Sequence, residues 1–222
     1  VKNLLVIFNV AAEDDVCRLF LPYWHRSGCD ILFSSPHDAK SQLDGVLHYY
    51  TGKAMRRDGS SRDRASWWWY QARVLETMKA VVNMPYDGFV FTQYDSIALD
   101  TFPLSCMDLC HAHVFENNDP AYHAKIFVHP PWCFRLVGLK AFIDAASRHN
   151  ISTSENDVMD RWMARVLESA SIPVTPTNPW SYSANSIDTP AIAQDCRNAI
   201  ARGAKFIHGV KNAQQLASIL EP

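Results

Sequence analysis

Leu4-Leu5-Val6-Ile7-Phe8-Asn9-Val10 is a nearly unbroken apolar run interrupted only by a polar residue near its end, the pattern of a strand buried on both faces of a parallel sheet. From Asp14 to Trp24 the apolar positions Val16, Leu19, Phe20 and Trp24 recur at helical spacing, and Ser27-Gly28 closes the segment. Asp30 to Pro36 reads as a second strand stopped by proline. Strand, helix and strand make a βαβ unit, whose crossover is right-handed. Gly45 to Tyr50 is a third strand, and a long helix starts near Ser66, a good N-cap, and runs to about Val82. Asp87-Gly88 then introduces Phe89-Val90-Phe91-Thr92-Gln93-Tyr94-Asp95-Ser96, a strand that turns polar at its C-terminal end. Further strands are expected at Ala112 to Phe115, Lys125 to Val128 and Ile172 to Val174. Helices are expected at Leu136 to Arg148, Asn156 to Ser169 and Pro190 to Arg202, and Lys205 to Lys211 is another short apolar run ending in polar groups. The pattern predicts an α/β fold: a Rossmann-like, mostly parallel sheet flanked by helices, in one domain over residues 1–222.

Composition narrows the function more than the fold. Lys and Arg number 21 against 23 Asp and Glu, so no general basic field is offered to nucleic acid, and a local cationic site remains possible. No apolar run approaches the roughly 18 residues of a membrane span. The six cysteines show no regular framework, so reduced thiols and a cytoplasmic setting are expected. Val1 followed at once by a strand, with no signal peptide, reads as a processed terminus or a domain boundary. The ring content is high, with seven Trp, eight Tyr and eleven Phe. Trp67-Trp68-Trp69 cannot all face one core, because successive helical positions differ by about 100°. Surplus rings suggest a surface that grips something flat.

In open parallel sheets, ligands bind beyond the carboxyl ends of the strands. Asn9 ends the first strand; Gln93, Asp95 and Ser96 end the later one. Such oxygen donors suit Mg²⁺ or Mn²⁺, which bind through one or two carboxylates plus substrate phosphates; an Asp there also caps loops. The stretch from Lys53 to Arg64 is polar and basic, either a solvated loop or a loop that meets phosphates. Cys106, Cys110, His111 and His113 are crowded for a zinc site, which commonly uses two short pairs separated by a longer loop. Buried thiols and exposed histidines are expected there instead.

Phe91 to Leu99 resembles the metal-binding strand end of glycosyltransferases with the GT-A fold, whose motif is Asp-any-Asp. Phe206-Ile207-His208-Gly209-Val210-Lys211 resembles their C-terminal segment. The resemblance implies a nucleotide-sugar-binding half over about 1–100 and an acceptor-side half over about 101–222. It implies Asp95 and His208 as ligands of Mn²⁺ or Mg²⁺, with Gly209 and Lys211 at the nucleotide diphosphate. Asn9, Gln93 and Tyr94 would lie at the nucleoside, and Arg64 would give further cationic support. The first acidic position of the DXD-like motif is Gln93 here, which removes one carboxylate. In the family's inverting members an acidic pair or triplet opens a helix on the acceptor side. Ser154-Glu155-Asn156-Asp157 therefore makes Asp157 the expected general base, with Glu155 in reserve. The same residues also read as an N-cap with a first-turn acid. His129 to Phe134 would shape the acceptor side, and Trp132 and Trp180 are either platforms for sugar faces or core.

The implied activity is a metal-assisted, hexosyltransferase-type transfer from a nucleotide-diphosphate sugar, a UDP-sugar first, to a hydroxyl of a glycan. Two other readings stand beside it. A non-catalytic nucleotide- or carbohydrate-binding module of the same fold would account for Gln93. A sugar nucleotidyltransferase fits less well, because Asn9 to Asp15 contains neither glycine nor a basic residue.

Overall fold

The computed structural model describes residues 2–9, 11–52, 64–104, 108–116, 126–148, 159–178, 180–184 and 186–220. Ten strands and six helices alternate along these residues. Strands β1 (Asn3–Phe8), β2 (Asp30–Pro36) and β3 (Leu47–Thr51) are followed by β4 (Gly88–Gln93), β5 (Ser96–Ala98), β6 (Cys110–Glu116) and β7 (Ile126–Arg135). The short strands β8 (Val174–Pro176), β9 (Ser181–Ser183) and β10 (Phe206–His208) complete the set. Helices are α1 (Asp14–Trp24), α2 (Arg64–Val81), α3 (Leu136–Arg148), α4 (Met159–Ser169), α5 (Pro190–Ala201) and α6 (Ala213–Leu220).

Seven strands form a mixed, mostly parallel sheet in the order β3-β2-β1-β4-β7-β6-β8, and β5-β10-β9 form a second, small sheet. The chain lays β2 and β3 to one side of β1 and then returns to place β4 on the other, with both neighbours parallel to β1. Strand order therefore reverses between β1 and β4, which makes their carboxyl ends the topological switch point where α/β sheets bind ligands.

Alternation along the strands builds the two layers. Leu4, Val6 and Phe8 of β1, with Phe89 and Phe91 of β4, pack into a core shared with α2, α3 and α4. Leu5, Ile7, Ile31, Phe33 and Val90 enter the opposite core, with residues of α1, α5, α6 and the small sheet. A strand with both faces covered has no polar alternation to display, which is why β1 is a continuous apolar run. Roughly 25 cal/mol accrues per Å² of apolar surface so buried, and this burial is the main force holding the layers together.

The aromatic surplus is largely core. Trp24, Trp132, Trp162, Phe20, Phe33, Phe89, Phe91, Phe134, Phe142 and Phe206 are all under 2% exposed or at that limit. The indoles of Trp24 and Trp132 keep hydrogen-bond partners, donating to the carbonyls of Ser96 and Val128 at 2.7 Å each. Trp132 is thus excluded as a sugar platform. Trp180 is half-buried and packs on Phe102, with ring centroids 5.7 Å apart. The side chains of Trp67 to Trp69 lie outside the described residues.

Four further differences from the sequence reading have local causes. The strand expected through Ser96 stops at Gln93, because the Ser96 hydroxyl donates to the Gln93 carbonyl at 2.8 Å and folds the chain into β5. The segment His129 to Phe134 is part of β7, paired antiparallel to both β4 and β6. Its prolines are tolerated because Phe91–Trp132 is the last pair with β4 and the β6 register shifts between His111 and His113, leaving no ladder donor to lose. Third, His111 and His113 are buried, not exposed. Finally, β9 and α6 were not anticipated. Among the described residues no helix is long and apolar enough to cross a membrane.

Candidate functional site

The turn after β4 is clamped from three sides. Tyr94 donates its backbone N–H to the Phe8 carbonyl at 3.1 Å, tying it to the end of β1. The Trp24 indole holds the Ser96 carbonyl. The backbone N–H groups of Gly209 and Val210 both donate to the Asp95 carbonyl, at 2.8 and 2.9 Å. β10 pairs antiparallel with β5, setting His208 opposite Ser96, and parallel with β9, setting His208 opposite Ser183. Two segments 113 residues apart are thereby fused at the switch point.

The side chains converge accordingly. His208 Nε2 lies 3.3 Å from Asp95 Oδ1 and 3.3 Å from Gln93 Oε1. Asp95 and His208 are each 5% exposed, and Asp95 Oδ1 is a buried oxygen with no well-formed hydrogen bond among the described residues. Burial pushes the Asp95 carboxyl up, but His208, and behind it Lys211, more than offset this, so its pKa falls below the ordinary 3.8. Lys211 is exposed, so its ammonium reaches this carboxylate as a field and stays available to solvent. The hydroxyl of Tyr70, on α2, hydrogen-bonds Gln93, and burial drives its pKa far up. Tyr94 is pushed up to about 12 by burial and then by Glu13 and Asp95.

A second pair, not anticipated from the sequence, borders this cluster. His129 Nε2 of β7 is 3.1 Å from Asp160 Oδ2 in the first turn of α4. Ser183 Oγ links the two groups, 3.0 Å from His208 Nδ1 and 3.5 Å from His129 Nδ1. On the far side, His113 Nδ1 is 2.8 Å from Ser181 Oγ, which is 2.7 Å from Thr177 Oγ1. Burial, then the nearby His129 and His208, lowers the His113 pKa from 6.5 to about 4. Phe115 sits between His113 and His129, with ring centroids 4.7 and 4.8 Å away.

The remaining expected residues are placed as follows. Asn9 is buried at the end of β1, and its amide donates to Asp14 Oδ1 at 3.2 Å. Asp14 also accepts from Ser41 Oγ at 2.7 Å and from the Gln42 backbone N–H at 2.9 Å, fastening the loop after β2 to the start of α1. Arg73, absent from the expected set, projects its guanidinium over the Phe8 ring, 5.7 Å from the centroid, and donates to the carbonyls of Asn9 and Ser34. It braces the ends of β1 and β2. Gly209 has φ +100°, and a Cβ there would stand 2.3 Å from the Ala184 carbonyl oxygen. Arg64 is the first residue of α2, and its side chain lies outside the described residues, as do Arg62, Cys106, Glu155 and Asp157 entirely.

A carboxylate oxygen, an amide oxygen and an imidazole nitrogen therefore face one another at the switch point, the carboxylate and imidazole both buried. Among the described residues no three His, Cys, Asp or Glu side chains gather into a self-sufficient metal cage. The donor set that is present, one carboxylate, one imidazole and one neutral oxygen, fits a divalent Mg²⁺ or Mn²⁺ that completes its shell with water and phosphate oxygens. Neither protein-family models nor curated protein sequences give a match to this chain.

Proposed function

We propose that the chain is a GT-A-type glycosyltransferase domain that moves a sugar from a nucleotide-diphosphate donor, a UDP-sugar first, to a hydroxyl of a glycan. The observation that carries the reading is the convergence of Asp95, Gln93 and His208 at the carboxyl ends of β1 and β4. This is where a doubly wound sheet binds its ligand, and Lys211 adds a solvent-facing cation next to it.

Asp95 and His208 would hold Mn²⁺ or Mg²⁺, with the Gln93 amide oxygen beside them. When bound, the cation would act as a Lewis acid on the departing diphosphate. Lys211 would pair with the phosphates, and its exposure leaves the ammonium free to do so. Asn9, Tyr94 and the Gln93 side chain would lie at the nucleoside end, with Gly209 keeping the backbone close and Arg64 adding positive charge. Asp157, or else Glu155, would take the proton of the attacking hydroxyl if the reaction inverts. The chain's own contribution is orientation: Gly209 and Val210 hold Asp95 by its backbone, and Ser183 holds His208 by its second ring nitrogen.

The neutral Gln93 favours a second reading, a module of the same fold that binds donor without turnover. Calorimetric titration with Mn²⁺ and a panel of nucleotide-sugars tests both. The transferase binds a nucleotide-sugar in the presence of Mn²⁺ and releases nucleotide diphosphate, and Asp95→Ala abolishes the release. Binding without release leaves only the module, and no binding to any of the panel removes both.

A further inference from the structure

Beside the Asp95–His208 cluster, the same end of the sheet carries an exposed ring and a second carboxylate that the function proposed above does not use. β7 runs antiparallel to both β4 and β6, so the start of β7 and the end of β6 lie where β4 finishes. The pairs Phe91–Trp132 and His113–His129 fix this register. Phe115 and His113 are alternate residues of β6 and share one face of the sheet. The imidazoles of His113 and His129 back the Phe115 ring, with centroids 4.7 and 4.8 Å away.

Exposure separates these groups. His113 is buried, whereas Phe115 is 36% exposed, an apolar ring held in place and left open to water. The side chains of His129 and Asp160 keep 18% and 24% of their surface. His129 Nε2 engages Asp160 Oδ2 at 3.1 Å, and Asp160 Oδ1 has no partner among the described residues. The pair also borders the candidate centre. The His129 and His208 rings are 6.3 Å apart, and the Tyr70 hydroxyl, bonded to Gln93, feels the charges of both Asp95 and Asp160.

An apolar ring next to an open carboxylate suits a ligand with one apolar face and a rim of hydroxyls. A pyranose is such a ligand: C–H groups line a face of its ring and can lie on the aromatic side chain. Its hydroxyls can donate to the carboxylate in charge-assisted bonds. A serine or threonine acceptor would use Asp160 and leave the ring uncovered. A quaternary ammonium calls for a cage of electron-rich rings, whereas Phe115 is flanked by imidazoles, which can themselves carry positive charge. The nucleoside end lies elsewhere, since the order β1-β4-β7-β6 sets β6 about 10 Å beyond β4, on the side away from Asn9.

We propose that Phe115, Asp160 and His129 form an acceptor subsite for a pyranose, its C–H face on Phe115 and a rim hydroxyl held by Asp160, which His129 keeps in place. The acceptor role rests on the transferase reading above; the capture of a pyranose does not.

The test is saturation-transfer NMR and titration of the full chain with a panel of methyl pyranosides, alone and with UDP and Mn²⁺, with choline as a cationic probe. At least one pyranoside is expected to bind, its C–H protons on one face receiving the strongest saturation. Phe115→Ala is expected to weaken that binding about tenfold, and Phe115→Trp, which keeps a ring, to retain it. Asp160→Asn is expected to weaken it by a similar factor. Phe115 is exposed at a strand end, so its variants report even where the Asp160 variant fails to fold; circular dichroism checks each protein. Absence of pyranoside binding in both conditions overturns the proposal. So does binding that natively folded Phe115→Ala leaves unchanged, or Phe115-dependent binding of choline in place of the sugars. A nucleotide-sugar bound without any pyranoside removes the subsite and leaves the transferase reading. Phe115-dependent pyranoside binding with no nucleotide-sugar bound keeps the subsite and removes that reading.

Discussion

His208 Nε2 sits 3.3 Å from Asp95 Oδ1 although 112 residues lie between them in the chain. What joins them is backbone: β5 and β10 pair in antiparallel register, and the residues just after His208 clamp the Asp95 carbonyl. Site geometry is therefore as strong as that clamp. Gly209 is its most sensitive point, since its φ of +100° is one that side chains rarely adopt and the Ala184 carbonyl fills the space a Cβ would need.

Gly209→Ala should accordingly destabilise the fold by about 1–3 kcal/mol through backbone strain, and more if the Ala184 carbonyl cannot move. It should also loosen the contact between Asp95 and His208. Urea denaturation measures the first, and a midpoint equal to wild type would show that the chain relaxes there without cost. The same substitution at Gly203, where nothing lies within 4 Å of the added carbon, is the control for the φ effect alone.

Gln93→Asp tests the electrostatics of the proposed cation site. Calcium- and magnesium-type sites are tuned by the number of charged ligands, and Gln93 contributes none. A second carboxylate beside Asp95 should tighten Mn²⁺ binding in the absence of nucleotide by roughly tenfold, read by calorimetry. Weaker binding in the Asp variant would mean that the Gln93 oxygen does not face the cation.

Asp14, at the start of α1, is a buried anchor beside the end of β1. It accepts from Asn9, Ser41 and the Gln42 backbone, so Asp14→Ala leaves several donors without their charged partner. The expected loss is about 3 kcal/mol, the scale of a hydrogen bond to a charged group plus the stranded donors. Asp14→Asn should lose less, since its amide oxygen still accepts. Thermal or urea melts of the two variants decide the order, and equal stability of wild type and Asp14→Ala would remove Asp14 from this role.

How much of this was legible in the sequence follows from the range of the interactions. Helices α1 and α3 and strand β2 match their expected bounds, because each is written in local periodicity and closed by local stop signals. The meeting of Asp95 and His208 was expected only through resemblance in two short motifs. The pair His129–Asp160 and the link through Ser183 left no such trace. β9 is the three residues Ser-Tyr-Ser, too short and polar to read as a strand, and it exists because β10 lies beside it. Asp160 reads as an ordinary acid in the first turn of a helix, its partner lying on a strand that sequence reasoning cut short at Val128. Trp132 misled for the opposite reason: two prolines before it concealed a strand, and the strand carries it into the core.

His113 supplies the pH dependence. Its pKa is lowered from 6.5 to about 4, first by burial and then by the charges of His129 and His208. Between those values the unfolded chain binds a proton that the folded chain refuses, so stability rises with pH across the window and is lost as pH falls from 6.5 to about 4. Above pH 6.5 neither state is protonated at this ring and the effect vanishes. One pKa unit corresponds to about 1.4 kcal/mol, which makes the total loss about 3 kcal/mol, since the ring is almost wholly buried. His113→Gln removes the titrating group, so the difference in unfolding free energy between wild type and variant should change by that amount between pH 7 and pH 4. Urea denaturation at half-unit intervals measures it, and parallel curves for the two proteins would show that His113 keeps an ordinary pKa in the folded state.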